Sequence, residues 1–134
     1  IDVLALREKL VKLARQLQIK EELLEGSLNE GFSGGEKKKM EILQALMLDP
    51  SFLIFDEIDT GVDVDSLKLI ASALKALRRQ GKTLILITHY NRILKYLRPD
   101  KVLVMKERKL VKTGGYKLAQ EIEKNGYLFV ERKG

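Results

Sequence analysis

Two short segments of this chain hold side chains and backbone suited to chemistry. The first is Gly31-Phe32-Ser33-Gly34-Gly35-Glu36 and the second is Ser51-Phe52-Leu53-Ile54-Phe55-Asp56-Glu57. Ser33-Gly34-Gly35 opens a helix, where unblocked N–H groups and the positive end of the helix dipole can hold an anion, and glycine lets a phosphate approach closely. Ser33 and Glu36 also fit a capping box, so helix capping alone explains the same residues. Asp56 and Glu57 end an apolar strand. One carboxylate can take a magnesium ion and its neighbour can polarise an attacking water. The bland alternative is a pair of solvated carboxylates in a loop. Together the two segments supply two of the parts needed to hydrolyse a nucleoside triphosphate.

His89 is the only histidine. It follows Thr88 at the end of the next apolar run, so a parallel arrangement brings it to the same sheet edge as Asp56 and Glu57, where ligands of open α/β sheets collect. There it could donate to a phosphate oxygen. Asp59-Thr60-Gly61-Val62-Asp63 joins the two halves and reads by itself as a turn with a helix cap. The chain carries no phosphate loop of the form Gly-x4-Gly-Lys-Ser/Thr. Gly26 to Ser33 has the glycine spacing but Phe32 where lysine is needed. Gly81-Lys82-Thr83 has the right ending but Ala76 in place of the first glycine.

The elements that must position these groups follow from periodicity. Leu4, Leu6, Leu10, Leu13 and Leu17 mark one amphipathic helix over 3–19. Residues 21–28 read as a helical turn and loop. A second helix runs from Ser33 to Leu48 and is stopped by Asp49-Pro50. Residues 51–55 form a buried strand. Asp63 caps a helix whose Leu67, Leu69, Ile70, Ala73, Leu74 and Leu77 face inward, and residues 83–88 form a second buried strand. Strand, helix and strand in this order make a parallel crossover. A short helix is expected over 91–97, then a hairpin of strands 101–105 and 109–112 about Glu107-Arg108. Gly114-Gly115 is a turn, and a last helix spans 116–124 with Gly126 beyond it.

The 134 residues, 45% of them hydrophobic, can bury a substantial core. There is no cysteine, which excludes disulfides and thiolate metal sites. The apolar runs are too short to span a bilayer, so no membrane insertion is expected. The chain starts at Ile1 and shows no signal sequence, and Ile1 is read as a point within a longer natural protein. The net charge of +6 arises with acidic residues interspersed throughout. It describes a charged surface rather than a nucleic-acid face, and Lys37-Lys38-Lys39 is the one tight basic run.

These motifs carry a resemblance. Ser33-Gly34-Gly35-Glu36 resembles the signature motif of ABC ATPases, Asp56-Glu57 the end of Walker B, Thr60-Gly61-Val62-Asp63 the D-loop and His89 the switch histidine. All four stand in family order within residues 31–90. The run from Gly31 to Lys38, together with Asp63-Val64-Asp65, Ile87-Thr88-His89-Tyr90 and Lys112-Thr113-Gly114-Gly115, is similar to the SufC-type ATPases of Suf iron–sulfur cluster assembly. Only the carboxy-terminal part of such an ATPase is matched. Ile58 stands where many transporter ATPases have proline, and Thr60 where serine is usual.

The resemblance implies an α/β fold with a helical subdomain over 1–48 and, over 49–134, part of a mostly parallel P-loop NTPase sheet. It implies a cytoplasmic, ATP-dependent head-to-tail homodimer with SufB and SufD as scaffold partners, and ATP and Mg2+ as cofactors. Ser33, Gly34, Gly35 and Asp63 would contact nucleotide or link the two sites. Asp56 would support the metal, Glu57 would be the general base, and His89 would steady the γ-phosphate. A half of a RecN- or SMC-like DNA-repair ATPase is an alternative, because residues 55–62 resemble that class as well. So is a non-catalytic binding fragment. The 134-residue chain alone, without a phosphate loop, is expected to be inactive.

Overall fold

The computed structural model describes residues 2–25, 32–90 and 92–127. The loop expected to end near Leu28, the motif residue Gly31, and Asn91, where a helix was expected to begin, lie outside the described residues. The chain forms two compact units, Ile1–Ile93 and Leu94–Gly134.

In the first unit, α1 (Val3–Gln16) starts at Asp2, whose carboxylate accepts from the Leu4 and Ala5 amides. The helix is shorter than its leucine pattern suggests. Gln18 adopts a left-handed conformation (φ 52°) and the Ile19 amide turns back to the Ala14 carbonyl, so Leu17 and Ile19 are buried from outside the helix. Leu4 and Leu6 were expected on a covered stripe but are exposed. Only the later part of α1 is sheltered, where Ala14 is buried and the helix packs on α3. A short α2 (Glu22–Glu25) precedes α3 (Gly34–Leu48). The end of α3 is set by Asp49 in a left-handed conformation and by Lys82, whose ammonium bonds both the Asp49 carbonyl (3.2 Å) and its carboxylate (2.9 Å).

Strand β1 (Phe52–Asp56) leads through a turn to α4 (Val64–Arg79), which returns the chain to β2 (Thr83–Ile87). β1 and β2 pair in parallel, with Asp56 opposite Ile87. The crossover expected from the sequence is therefore present. Ser66, Leu67, Ile70, Ala71, Leu74 and Leu77 form the buried face of α4, while Leu69 and Ala73 sit at its margin. Both strands were expected to be fully buried, but they are not. Leu53 and Phe55 are buried on one face, whereas Phe52, Ile54, Ile85 and Ile87 on the other are exposed, Ile54 at 58%. A parallel sheet is covered on both faces when it is complete. Among the described residues of this unit only one face has a helix against it.

The second unit holds β3 (Val102–Lys106), β4 (Lys109–Gly114) and α5 (Tyr116–Asn125). The strands form a separate antiparallel pair, with Glu107 and Arg108 both at positive φ in the turn. Such a two-residue turn matches the natural twist of a hairpin. β4 runs on to Gly114, where a Cβ would meet the Leu118 side chain at 2.9 Å, so the strand leads directly into α5. Val104, Leu118 and Ile122 form the small core of this unit, with Val102 against it. Of the short helix expected over 91–97, one 3₁₀ turn at Ile93–Lys95 is present. No described helix is long and apolar enough to cross a membrane.

Candidate functional site

Parallel pairing of β1 and β2 brings the loops that follow them together. Asp56 ends β1 and is exposed. Glu57 then takes a left-handed conformation (φ 50°), uncommon for a residue with a side chain. Its amide still donates to the Ile87 carbonyl at 2.8 Å, carrying the ladder one step past the strand. The Glu57 carboxylate lies 3.0 Å from Nδ1 of His89, and both side chains are about half exposed. The His89 ring also packs on Tyr90 with centroids 4.0 Å apart. Two groups 32 positions apart in sequence thus meet at one sheet edge.

This edge can do three things. The exposed Asp56 carboxylate is a hard oxygen donor of the kind magnesium prefers. The half-exposed Glu57 carboxylate is a group that can accept a proton. His89 has Nδ1 against Glu57, and this contact orients the half-exposed ring.

The start of α3 is built as a full capping box. Ser33 Oγ accepts from the Glu36 amide (3.3 Å), and the Ser33 amide donates to the Glu36 carboxylate (2.8 Å). The Ser33 amide and hydroxyl hold the Glu36 carboxyl below the usual range. The Ser33 hydroxyl thus accepts from the Glu36 amide and turns its own proton toward the Glu36 carboxylate; as a rotor it can redirect that proton to a ligand oxygen. The two glycines serve close packing as well. A Cβ at Gly34 would lie 3.1 Å from the Gly61 carbonyl oxygen. One at Gly35 would lie 3.3 Å from both the Asp63 carboxylate and Ser66 Oγ. Gly35 is buried, while Ser33 and Gly34 are exposed.

Asp63 caps α4, its Oδ1 accepting from the Ser66 amide at 2.9 Å. That amide, with the Ser66 hydroxyl, draws the Asp63 carboxyl below its ordinary range. Ser33, Gly34 and Gly35 therefore sit beside the loop that contains Asp63. Asp56, Glu57 and His89 gather at the strand edge.

Sequence reasoning gave no role to Asp59 or to the Thr88 hydroxyl. Asp59 has no exposed surface, and both its carboxylate oxygens lie about 3 Å from Thr88 Oγ1 (2.9 and 3.0 Å). The signal for this pair was the parallel register, which places the residues after β1 next to those after β2.

No protein-family model matches the chain. It is 49% identical over 111 residues to the "Probable ATP-dependent transporter" of Guillardia theta, covering 83% of this chain and 44% of that protein. It is 45% identical over 129 residues to a "Probable ABC transporter ATP-binding protein" of Streptococcus pyogenes, covering 94% and 50%. Among solved structures, the dimeric post-hydrolysis ATP-binding cassette MJ0796 bound to ADP and phosphate superposes with a TM-score of 0.70 at 19% identity, over 82% of this chain and 47% of that one. That last likeness concerns the fold alone. The chain spans about half the length of the curated relatives it matches.

Proposed function

We propose that this chain, which has the α/β fold of ATP-binding cassettes and is similar to proteins named as ABC-type ATP-binding proteins, is part of such an ATPase, and that the longer protein hydrolyses ATP as a head-to-tail homodimer with two nucleotides between the protomers. The observation that carries this reading is the Glu57–His89 pair, 3.0 Å apart at the ends of neighbouring parallel strands, beside Asp56. Glu57 is the general base that takes the proton of the attacking water. A His89 ring carrying protons on both nitrogens would donate from Nδ1 to Glu57 and from its other nitrogen to the γ-phosphate. Asp56 would hold Mg2+, which neutralises phosphate charge when bound. Ser33, Gly34 and Gly35 meet the γ-phosphate held by the opposite protomer, through the Ser33 hydroxyl proton and the amides of the first turn of α3. Asp63 links the two sites across the dimer. The helices up to Leu48 form a helical subdomain and residues from 49 belong to the nucleotide-binding core. The 134-residue chain by itself, without a phosphate loop, does not turn over ATP.

The finer assignment is iron–sulfur cluster assembly in the cytoplasm on a SufB–SufD scaffold. It rests on the likeness of residues 31–38, 63–65, 87–90 and 112–115 to SufC-type ATPases. A second reading, a membrane transporter's ATPase, is favoured by the names of the similar proteins. DNA is not expected as a partner. The test is the ATPase rate of the full-length protein at moderate salt with SufB–SufD, DNA or neither added. Stimulation by the scaffold alone is the expected result. Stimulation by DNA alone would favour the repair class, and indifference to both would favour the transporter reading.

A further inference from the structure

Asp59 is the one buried carboxylate among the described residues. It lies two residues past Glu57, in a turn closed by the Thr60 amide donating to the Glu57 carbonyl (3.2 Å). A carboxylate without solvent is retained only where hydrogen bonds replace its water. Here Thr88 Oγ1 approaches both carboxylate oxygens. The same hydroxyl accepts from the Tyr90 amide at 3.0 Å and lies 2.8 Å from the Tyr90 carbonyl. One threonine oxygen therefore sits at the junction of the loop after β1 and the loop that carries His89. Its backbone bonds to Tyr90 bracket His89 on both sides. Nearby, the Arg92 guanidinium donates to the Val62 carbonyl at 2.9 Å and ties the same two loops farther from the strand edge.

The Glu57–His89 contact, by contrast, is made by two half-exposed side chains, one of them on a left-handed residue. Water competes with such a contact, and a left-handed residue with a side chain persists only where its surroundings fix it. We propose that Asp59 and Thr88 are positioning residues: their part-buried hydrogen bond locks the two loops so that Glu57 and His89 stay paired. For catalysis this rests on the ATPase reading above. For geometry it stands on the contacts alone. Neither residue touches substrate in this account; each acts through Glu57 and His89.

The test uses the full-length protein. Thr88→Val removes the hydroxyl, and Thr88→Ser restores it. Because Thr88→Val alone strands a buried carboxylate, the double variant Asp59→Val/Thr88→Val removes both partners at once, which avoids an unpaired buried group. Expected for both valine variants is a fall in kcat of about 10- to 100-fold, the scale of a catalytic group displaced by about an ångström. KM for ATP should stay within about twofold. Thr88→Ser should recover most of the rate. The second readout is the imidazole nitrogen signal of His89, assigned by its loss in His89→Gln. It should move to that of a freely solvated ring in the valine variants and return in Thr88→Ser. A double variant that melts like the parent, keeps its kcat and leaves the His89 signal unmoved would overturn the proposal. If the parent itself hydrolyses no ATP, the ATPase reading fails, and the ring signal still decides whether the strut exists.

Discussion

Gly35 of α3 lies directly against Asp63, the cap of α4: a Cβ built on the glycine would stand 3.3 Å from the aspartate's Oδ2. The other oxygen of that carboxylate is held by the Ser66 amide, so the aspartate has little freedom to withdraw. The turn that opens α3 and the loop that caps α4 are thereby fixed to each other within this chain.

Gly34 is the tighter neighbour of that contact, since its Cβ would meet a backbone oxygen, that of Gly61, at 3.1 Å. Gly34→Ala should cost about 1–3 kcal/mol, as overpacking does. Thermal melting measures it. A variant as stable as the parent would show that the turn around Gly61 yields freely.

Ser33→Ala removes one half of the capping box and should cost about 1 kcal/mol. If the hydroxyl also meets the opposite protomer's phosphate, ATP-driven dimerisation of the full-length protein should weaken beyond what that loss explains. Melting and dimerisation measured side by side separate the two. A dimerisation loss fully accounted for by unfolding would remove the phosphate role.

Acid should destabilise the fold through three carboxylates. Hydrogen bonds from Ser33 hold Glu36 below its usual range, the Lys82 ammonium does so for Asp49, and the Ser66 amide for Asp63. Each is lower in the folded state than in the unfolded chain. Their stabilisation is therefore complete above the ordinary carboxylate values, near about 4, and is lost as pH falls through the depressed folded values. The melting temperature should drop below about pH 4, and less steeply in Lys82→Met, where Asp49 has lost its partner. An unchanged acid slope in that variant would contradict the assignment.

Much of this arrangement is legible in the sequence because it is local. Ser33 and Glu36 are three residues apart, as are Asp63 and Ser66, and both caps formed where spacing put them. The parallel crossover followed from two apolar runs and the helix between them, and this alone placed Glu57 and His89 on one edge. What was hidden is non-local. The Thr88–Asp59 bond spans 29 positions; the parallel register brings its two loops together, but no spacing in the sequence pairs these two side chains. Ile54 and Ile85 carry the pattern of a sheet covered on both sides, yet one face is exposed here. Gln18 ends α1 early by a left-handed turn that the leucine spacing does not foretell.

The 134-residue chain alone should bind Mg-ATP more weakly than micromolar, because it has no lysine loop to cradle the β- and γ-phosphates. Calorimetric titration checks this. Micromolar affinity, about −8 kcal/mol, would reveal a nucleotide site outside the residues described above.

The central claim is that Glu57, paired with His89, is the base of ATP hydrolysis. It is tested most directly by Glu57→Gln in the full-length protein, with hydrolysis rate and ATP-dependent dimer measured on the same preparation. The account predicts a rate at least about 100-fold lower, with ATP still bound and the dimer accumulating on a sizing column. Hydrolysis at the parental rate, in a variant that folds and binds ATP normally, would contradict it.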